Sequence, residues 1–288
     1  MMRVAIVTCD NRPDALDADQ PLLDACAAAG ITAVRAAWSD QNVDWAGFDA
    51  AVVRTTWDYQ YHRASFLDWI ERASHQTILL NPPSVLRWGF DKTHLKALAA
   101  SGLPVIPTLY PAFGDTGHVM RWASANGWDE LVLKPVLGAG GIDTLRIAAE
   151  VPALDAAWRA VSVRADGYLV QPFLASILST GELSVLTING AFSHAVMKTP
   201  KAGEFRVQTS HGGQFRTVLP PPDALALTQQ ILAALPELPL FARIDLVNDA
   251  GAWRVIECEV IEPDLYFGHQ PQSPAALAAA IVAQATSS

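Results

Sequence analysis

The sequence predicts an α/β domain followed by an α+β body, on three observations. The first eighty residues alternate strand-length and helix-length apolar runs. The later part carries hairpin turn chemistry, and two late strands, FARIDLV and AWRVIECEV, bear carboxylates that fall on single strand faces.

RVAIVTC reads as a strand, PLLDACAAAG as a helix ended by Gly30, ITAVRAA and AAVVR as strands, HRASFLDWIERAS as a helix and TILLNPP as a further strand. Strands separated by helix-length segments imply parallel βαβ winding. A short helical piece follows Asn81-Pro82-Pro83, and Asp91 is placed to N-cap a helix through THLKALAASG. The texture changes at LPVIPTLY. A helix around HVMRWASANG, the strand ELVLKP, a glycine loop, TLRI, the helix VPALDAAWRAVSVR and the strand YLVQPFL form a small α+β lobe. LSVLTING and AFSHAVMK are joined by Asn189-Gly190, a strong hairpin signal. The helix DALALTQQILAAL, the two acidic strands and an Ala-rich terminal helix complete the chain. The expected divisions are 1–90, a substrate domain, 91–175, a small lobe with the glycine loop, and 176–288, a second lobe with the metal site.

A net charge of −9 with no Lys/Arg-rich block argues against a nucleic-acid or anionic-membrane surface, so small molecules are the expected partners. The longest apolar run is too short to span a bilayer, and the start does not read as a signal peptide, so a cytoplasmic protein is expected. Cys9, Cys26 and Cys258 are odd in number and widely spaced, which suggests neither a disulfide framework nor a zinc site.

Glu257 and Glu259 point to the same side of their strand while Cys258 points to the opposite layer, the place of a buried structural thiol. Together with Asp245 they form a carboxylate group whose self-repulsion a cation would relieve, and an all-oxygen shell suits Mg²⁺ joined to nucleotide phosphates. ELVLKPVLGAGG delivers Lys134 from a strand end into Gly138-Ala139-Gly140-Gly141. Such a turn lets backbone N–H groups approach phosphate oxygens, and it also suits a plain hairpin loop. The spacing fits neither GxxxxGK[ST] nor GxGxxG. Lys92 is a second candidate cation, near a helix start. Arg54, Trp57, Asp58 and Tyr59 end a strand of the first domain, where open α/β sheets place ligands, and they equally suit a packed aromatic corner. His194 and His211 are isolated and read as hydrogen-bonded or surface residues.

In this order and spacing the segments from about Asn81 to Phe267 resemble the ATP-grasp superfamily, within its glutathione synthetase-like and D-alanine–D-alanine ligase-like enzymes. The preceding residues would be a pre-ATP-grasp domain. NPPSVLRWGFDKTHL and VLKPVLGAGG are similar to the segments bearing the two ATP lysines, here Lys92 and Lys134, with Gly138, Gly140 and Gly141 in the flexible loop. LVQPFL resembles the interlobe hinge, which would set Gln171 and the backbone of Phe173 and Leu174 at the adenine, and Glu182 of STGELSV falls where a ribose-binding acid is usual. EFRVQTSHGG resembles the loop whose arginine, here Arg206, faces the transferring phosphoryl group. ARIDLV and VIECEV match the metal strands, which implies Asp245, Glu257 and Glu259 as Mg²⁺ ligands, with Mn²⁺ as an alternative ion, and Arg243 beside them. Most relatives have Asn where this chain has Glu259. RTTWDY and ECEVIEPDLYF look closer to the D-cycloserine synthetase branch, the O-ureido-serine cyclo-ligases. The resemblance implies an ATP-dependent carboxylate–amine ligase acting through an acylphosphate on an amino acid or small peptide. Intramolecular cyclisation and a non-catalytic ATP-binding regulator are its alternatives, and a homodimer is left open.

Overall fold

The computed structural model describes residues 1–10, 17–164 and 166–287. Its first layer is a parallel sheet in the order β2-β1-β3-β4, formed by β1 (Arg3–Thr8), β2 (Thr32–Ala37), β3 (Ala50–Thr55) and β4 (Ile78–Leu80). Side-chain alternation splits the two central strands between two cores. Val4, Ile6, Ala50 and Val52 pack on Leu22 and Cys26 of α1 (Gln20–Ala28). Ala5, Val7, Ala51 and Val53 pack on Trp38, Trp45 and on Phe66, Trp69 and Ile70 of α2 (Arg63–Ser74). Burial on both faces is why these strands read as continuous apolar runs.

After α3 (Pro83–Trp88) and α4 (His94–Ala100) comes a small lobe. In it β5 (Glu130–Pro135) lies between β6 (Leu145–Ala148) and β7 (Tyr168–Pro172), backed by α5 (Thr116–Asn126) and α6 (Val151–Ala160). The third layer is an antiparallel sheet in the order β10-β9-β8-β11-β12. Its strands are β8 (Glu182–Ile188), β9 (Ala191–Thr199), β10 (Gln214–Val218), β11 (Phe241–Asp249) and β12 (Ala252–Glu259). The Asn189-Gly190 turn joins β8 to β9 with both residues at positive φ, 49° and 76°, as the tight hairpin requires. Among the described residues no helix is long and apolar enough to cross a membrane.

The structure differs from the sequence expectation at several places. Asp91 accepts the Thr93 N–H at 2.9 Å in a local turn, and the helix starts three residues later, at His94. That helix does not join the small lobe, because Leu95 and Leu98 pack under the five-stranded sheet with Leu227 and Ile231 of α8 (Pro222–Ala233). The terminal helix α9 (Ser273–Ser287) returns to the first layer, where Leu277 and Ile281 share the core of Val4 and Ile6. Strand β10, which is not among the strands expected from the sequence, follows the His211 loop. Asn81 stitches the first layer to the third. Its side chain donates to the carbonyls of Phe241 (3.0 Å) and Val260 (2.6 Å) and accepts from the Phe241 N–H (3.1 Å), all buried.

Candidate active site

Strand alternation aims the polar side chains. On β5, Leu131 and Leu133 enter the small-lobe core while Val132 and Lys134 face the opposite side, across from the five-stranded sheet. On that sheet Leu183, Val185, Ala242, Ile244 and Cys258 pack beneath. Glu182, Ser184, Lys198, Arg243, Asp245, Glu257 and Glu259 occupy the other face. Between the lobes lies a cavity of about 520 Å³.

Asp245, Glu257 and Glu259 each bring a carboxylate oxygen within 4.8 Å of the others. Asp245 stands opposite Glu257 in the β11–β12 register and Arg243 opposite Glu259. Protein cations face these groups: Lys92 Nζ lies 3.1 Å from Glu257, Lys198 Nζ 3.3 Å from Asp245, and Arg243 bonds Asp245 at 3.0 Å and also Glu259. Burial would raise the Asp245 carboxyl, but Arg243, Lys198 and the Ser184 hydroxyl outweigh it and carry it down to about 2. Glu259 goes the other way. Burial, reinforced by Glu257 and Asp245, pushes it up to about 7 against the pull of Arg243. Glu262, just beyond the strand, is pushed up to about 8 by burial and then by Glu259. Burial lowers Lys134. The raised Glu259 and Glu262 carboxyls lie where added positive charge from a divalent ion would be favourable.

The glycine loop covers this floor. Lys92 donates to the Gly138 carbonyl at 2.7 Å, and His211 Nε2 lies 3.2 Å from the Gly140 carbonyl. Gly140 and Gly141 have φ of 66° and 73°, conformations that suit glycine. A Cβ on Gly141 would meet Arg206, Gln208 and His211 at 3.1–3.3 Å, so only glycine lets the two loops close on each other. Arg206 lines the cavity and is held by Glu204 through bonds of 3.1 and 2.8 Å. At the hinge, Ile106, Val132, Leu174, Ile177, Val207 and Ile256 form an apolar slot with the shape and chemistry for a flat base, beside Gln171, whose amide donates to Thr108 at 3.0 Å.

The structure therefore brings together Lys92, Lys134, Gly138, Gly140, Gly141, Gln171, Leu174, Glu182, Arg206, Arg243, Asp245, Glu257, Glu259 and Trp57 around one cavity. Three expected positions lie elsewhere. Arg54 is 2% exposed and turned into the first domain, where it donates to Asp19 (3.0 Å) and to the Pro263 carbonyl (3.2 Å) and stacks near Phe241. A strand residue facing the apolar layer needs a buried counter-charge, and Asp19 supplies it. Asp58 accepts the Trp38 indole N–H at 2.7 Å, and Phe173, expected to offer its backbone, is outside the cavity lining with its N–H donating to the Glu130 carbonyl at 2.9 Å and its ring under Arg146 at 3.8 Å. His194 is hydrogen-bonded to the Leu265 carbonyl (3.1 Å), and Cys9, Cys26 and Cys258 are buried with no disulfide among them.

Lys198 escaped the sequence reading although it is 3% exposed and bridges Glu182 and Asp245. The hairpin register sets it directly across from Glu182, but a bulge between Leu186 and Thr187 shifts that register by one, so counting back from Asn189-Gly190 alone would have pointed to Met197. Glu262 and Tyr266 follow β12 in a segment without periodicity and gave no such signal.

Comparison with known proteins agrees with this arrangement. The family described as D-cycloserine synthetase DcsG, N-terminal domain, matches residues 4–81, and the prokaryotic glutathione synthetase ATP-grasp domain matches residues 115–264. The chain is 36% identical over 260 residues to the cycloserine biosynthesis protein DcsG of Streptomyces lavendulae, covering 85% of this chain and 86% of that one. It is 34% identical to a glutathione synthetase of Parasynechococcus marenigrum over 195 residues, 66% of this chain and 59% of that protein. The crystal structure of D-cycloserine synthetase DcsG superposes with a TM-score of 0.85 at 30% identity, covering 98% of this chain and 99% of that one. The chain belongs to the ATP-grasp ligases, ATP-dependent enzymes that form carbon–nitrogen bonds, in the family that includes D-cycloserine synthetase.

Proposed function

We propose that this enzyme closes a ring within one small amino-acid substrate of the O-ureido-serine type, activating its carboxylate with ATP. The observation that carries this reading is the likeness of residues 4–81 to the DcsG N-terminal domain. That domain supplies Trp57, Tyr59 and Tyr61 to the cavity wall, so the likeness extends to the acceptor end as well as the ATP end.

The residues fit a divalent cation, since three carboxylates with mutually close oxygens offer it an all-oxygen shell. Mg²⁺ held by Asp245, Glu257 and Glu259 would neutralise phosphate charge there. Once Glu257 no longer needs Lys92 as its counter-ion, the Lys92 ammonium is available to phosphate oxygens, with Lys134 beside it. The apolar slot at Ile106, Leu174 and Ile256 binds the base, and Glu182 lies toward the sugar. Arg206 and Arg243 stabilise the negative charge that develops when the substrate carboxylate takes the terminal phosphoryl group and ADP forms. A nitrogen of the same molecule then attacks the acylphosphate, the carbon–nitrogen bond forms, and phosphate and a proton leave. The glycine loop excludes water, which would otherwise hydrolyse the acylphosphate. Holding nucleophile and acyl carbon in one compact molecule removes the need for a second binding step.

The test is incubation with Mg-ATP and O-ureido-serine, following ADP by a coupled assay and the ring-closed product, with or without its carbamoyl group, by mass spectrometry. Cyclisation predicts ADP release without an added amine. Phosphate release that appears only after a second amine is supplied would establish intermolecular ligation instead.

A further inference from the structure

We infer that Glu262, together with Gln60, receives the ammonium group of the amino-acid substrate and makes a free amine a requirement for binding. This deepens the cyclisation reading and rests on it. The other carboxylates lining the cavity are already engaged. Asp91 takes Thr93 and Arg63, Glu182 takes Lys198, Asp245 takes Arg243, Glu257 takes Lys92, Glu259 takes Arg243, and Asp264 takes the Tyr266 N–H at 2.8 Å. Among the described residues the Glu262 carboxyl forms no salt bridge and bonds no other side chain. Lys92, whose charge attracts it, is committed to Glu257 and to the Gly138 carbonyl.

The position is built and held. The Trp57 indole N–H donates to the Glu262 carbonyl at 3.2 Å, and Arg54 donates to the next carbonyl, that of Pro263, at 3.2 Å. The first domain thus fixes the backbone that follows the carboxyl-bearing carbon, and this gives Arg54 a supporting role although it is outside the cavity. Three residues after Trp57, Gln60 lines the same cavity with a buried side-chain oxygen that has no hydrogen-bond partner. Two unfilled acceptors, one of them a carboxyl, match the several donors of an ammonium group. Trp57, Tyr59 and Tyr61 add aromatic surface, which a cation tolerates where an anion would not. The acceptor end would therefore reject substrates whose amine is acylated or missing.

The experiment measures binding of D-cycloserine, which has a free amine, and of isoxazolidin-3-one, which lacks it, to the full chain with Mg-ADP by calorimetry. Turnover of O-ureido-serine is assayed in parallel. The wild type is expected to favour the amine by about 10- to 100-fold, the range for a charged hydrogen bond. Glu262→Gln should reduce that preference to within a few-fold of unity and raise the KM for O-ureido-serine more than it lowers kcat. Glu262→Asp, which keeps the charge, should retain part of it and serves if the first variant does not fold. Equal wild-type affinity for the two rings, with O-ureido-serine still turned over, would overturn this inference alone. Binding of neither ring would remove the cyclisation reading and the inference with it. A Glu262→Gln enzyme that keeps its amine preference but needs more Mg²⁺ would place the carboxyl on the metal and overturn the inference.

Discussion

The two adjacent glycines of the lid separate backbone strain from loop contact. Gly140 has φ +66° with nothing within 4 Å of a added Cβ, so Gly140→Ala meets only the left-handed backbone penalty, about 1–2 kcal/mol. If that penalty falls wholly on the closed loop, the KM for ATP rises about 5- to 30-fold with kcat nearly unchanged. Gly141 has φ +73° and carries the same penalty, but its Cβ would also sit 3.1 Å from Arg206, 3.2 Å from Gln208 and 3.3 Å from His211. Ordinary carbon contacts are about 3.5–4.0 Å, so Arg206 must give way by a few tenths of an ångström. Because Arg206 is proposed to face the phosphoryl group, Gly141→Ala should also lower kcat, on the order of 10-fold. Initial rates of ADP release against ATP at saturating acceptor measure both constants, with melting temperatures as a check on folding. Indistinguishable kinetics for the two variants would refute the coupling between the glycine loop and the Arg206 loop.

Glu257→Gln should reduce ADP formation by more than the about 100-fold that even outer-shell changes reach at metal sites, with the fold intact; activity near wild type in the coupled assay contradicts the metal assignment. Arg54→Met strands Asp19, whose carboxylate is 1% exposed, and should cost about 3–5 kcal/mol of stability by urea unfolding; a loss under about 1 kcal/mol would show that the pair is not structural. His94 is buried and donates through Nδ1–H to the Asp91 carbonyl (2.7 Å), and burial pulls it from 6.5 to about 4. The unfolded chain therefore binds the extra proton first, so this stability is complete above the unfolded value and is lost as pH falls toward 4, about 2 kcal/mol of it between pH 7 and pH 5. Unfolding of His94→Gln should lack that component relative to wild type; identical pH slopes for both proteins would refute it.

Alternation made most of the site readable before any coordinates. The faces of ARIDLV and VIECEV follow from a period of two, and so does the burial of Cys258 on the layer opposite Glu257 and Glu259. The glycine loop was legible because Gly140 and Gly141 hold positive φ that other residues rarely adopt. Arg54 misled because it ends a strand at the usual ligand-bearing edge, while its partner Asp19 lies 35 residues earlier and nothing local marks the pair. Glu262 was silent for a related reason: its position is fixed by Trp57, 205 residues away.

Local order, in the periods, caps and turns, determined which segments became strands, the Asn189-Gly190 hairpin and the acidic face of β11 and β12. The tertiary structure alone decided which charges meet. Ion pairs such as Lys92 with Glu257 and Lys198 with Asp245 join different elements, and their energies depend on burial and on separations of a few ångströms that no sequence period encodes.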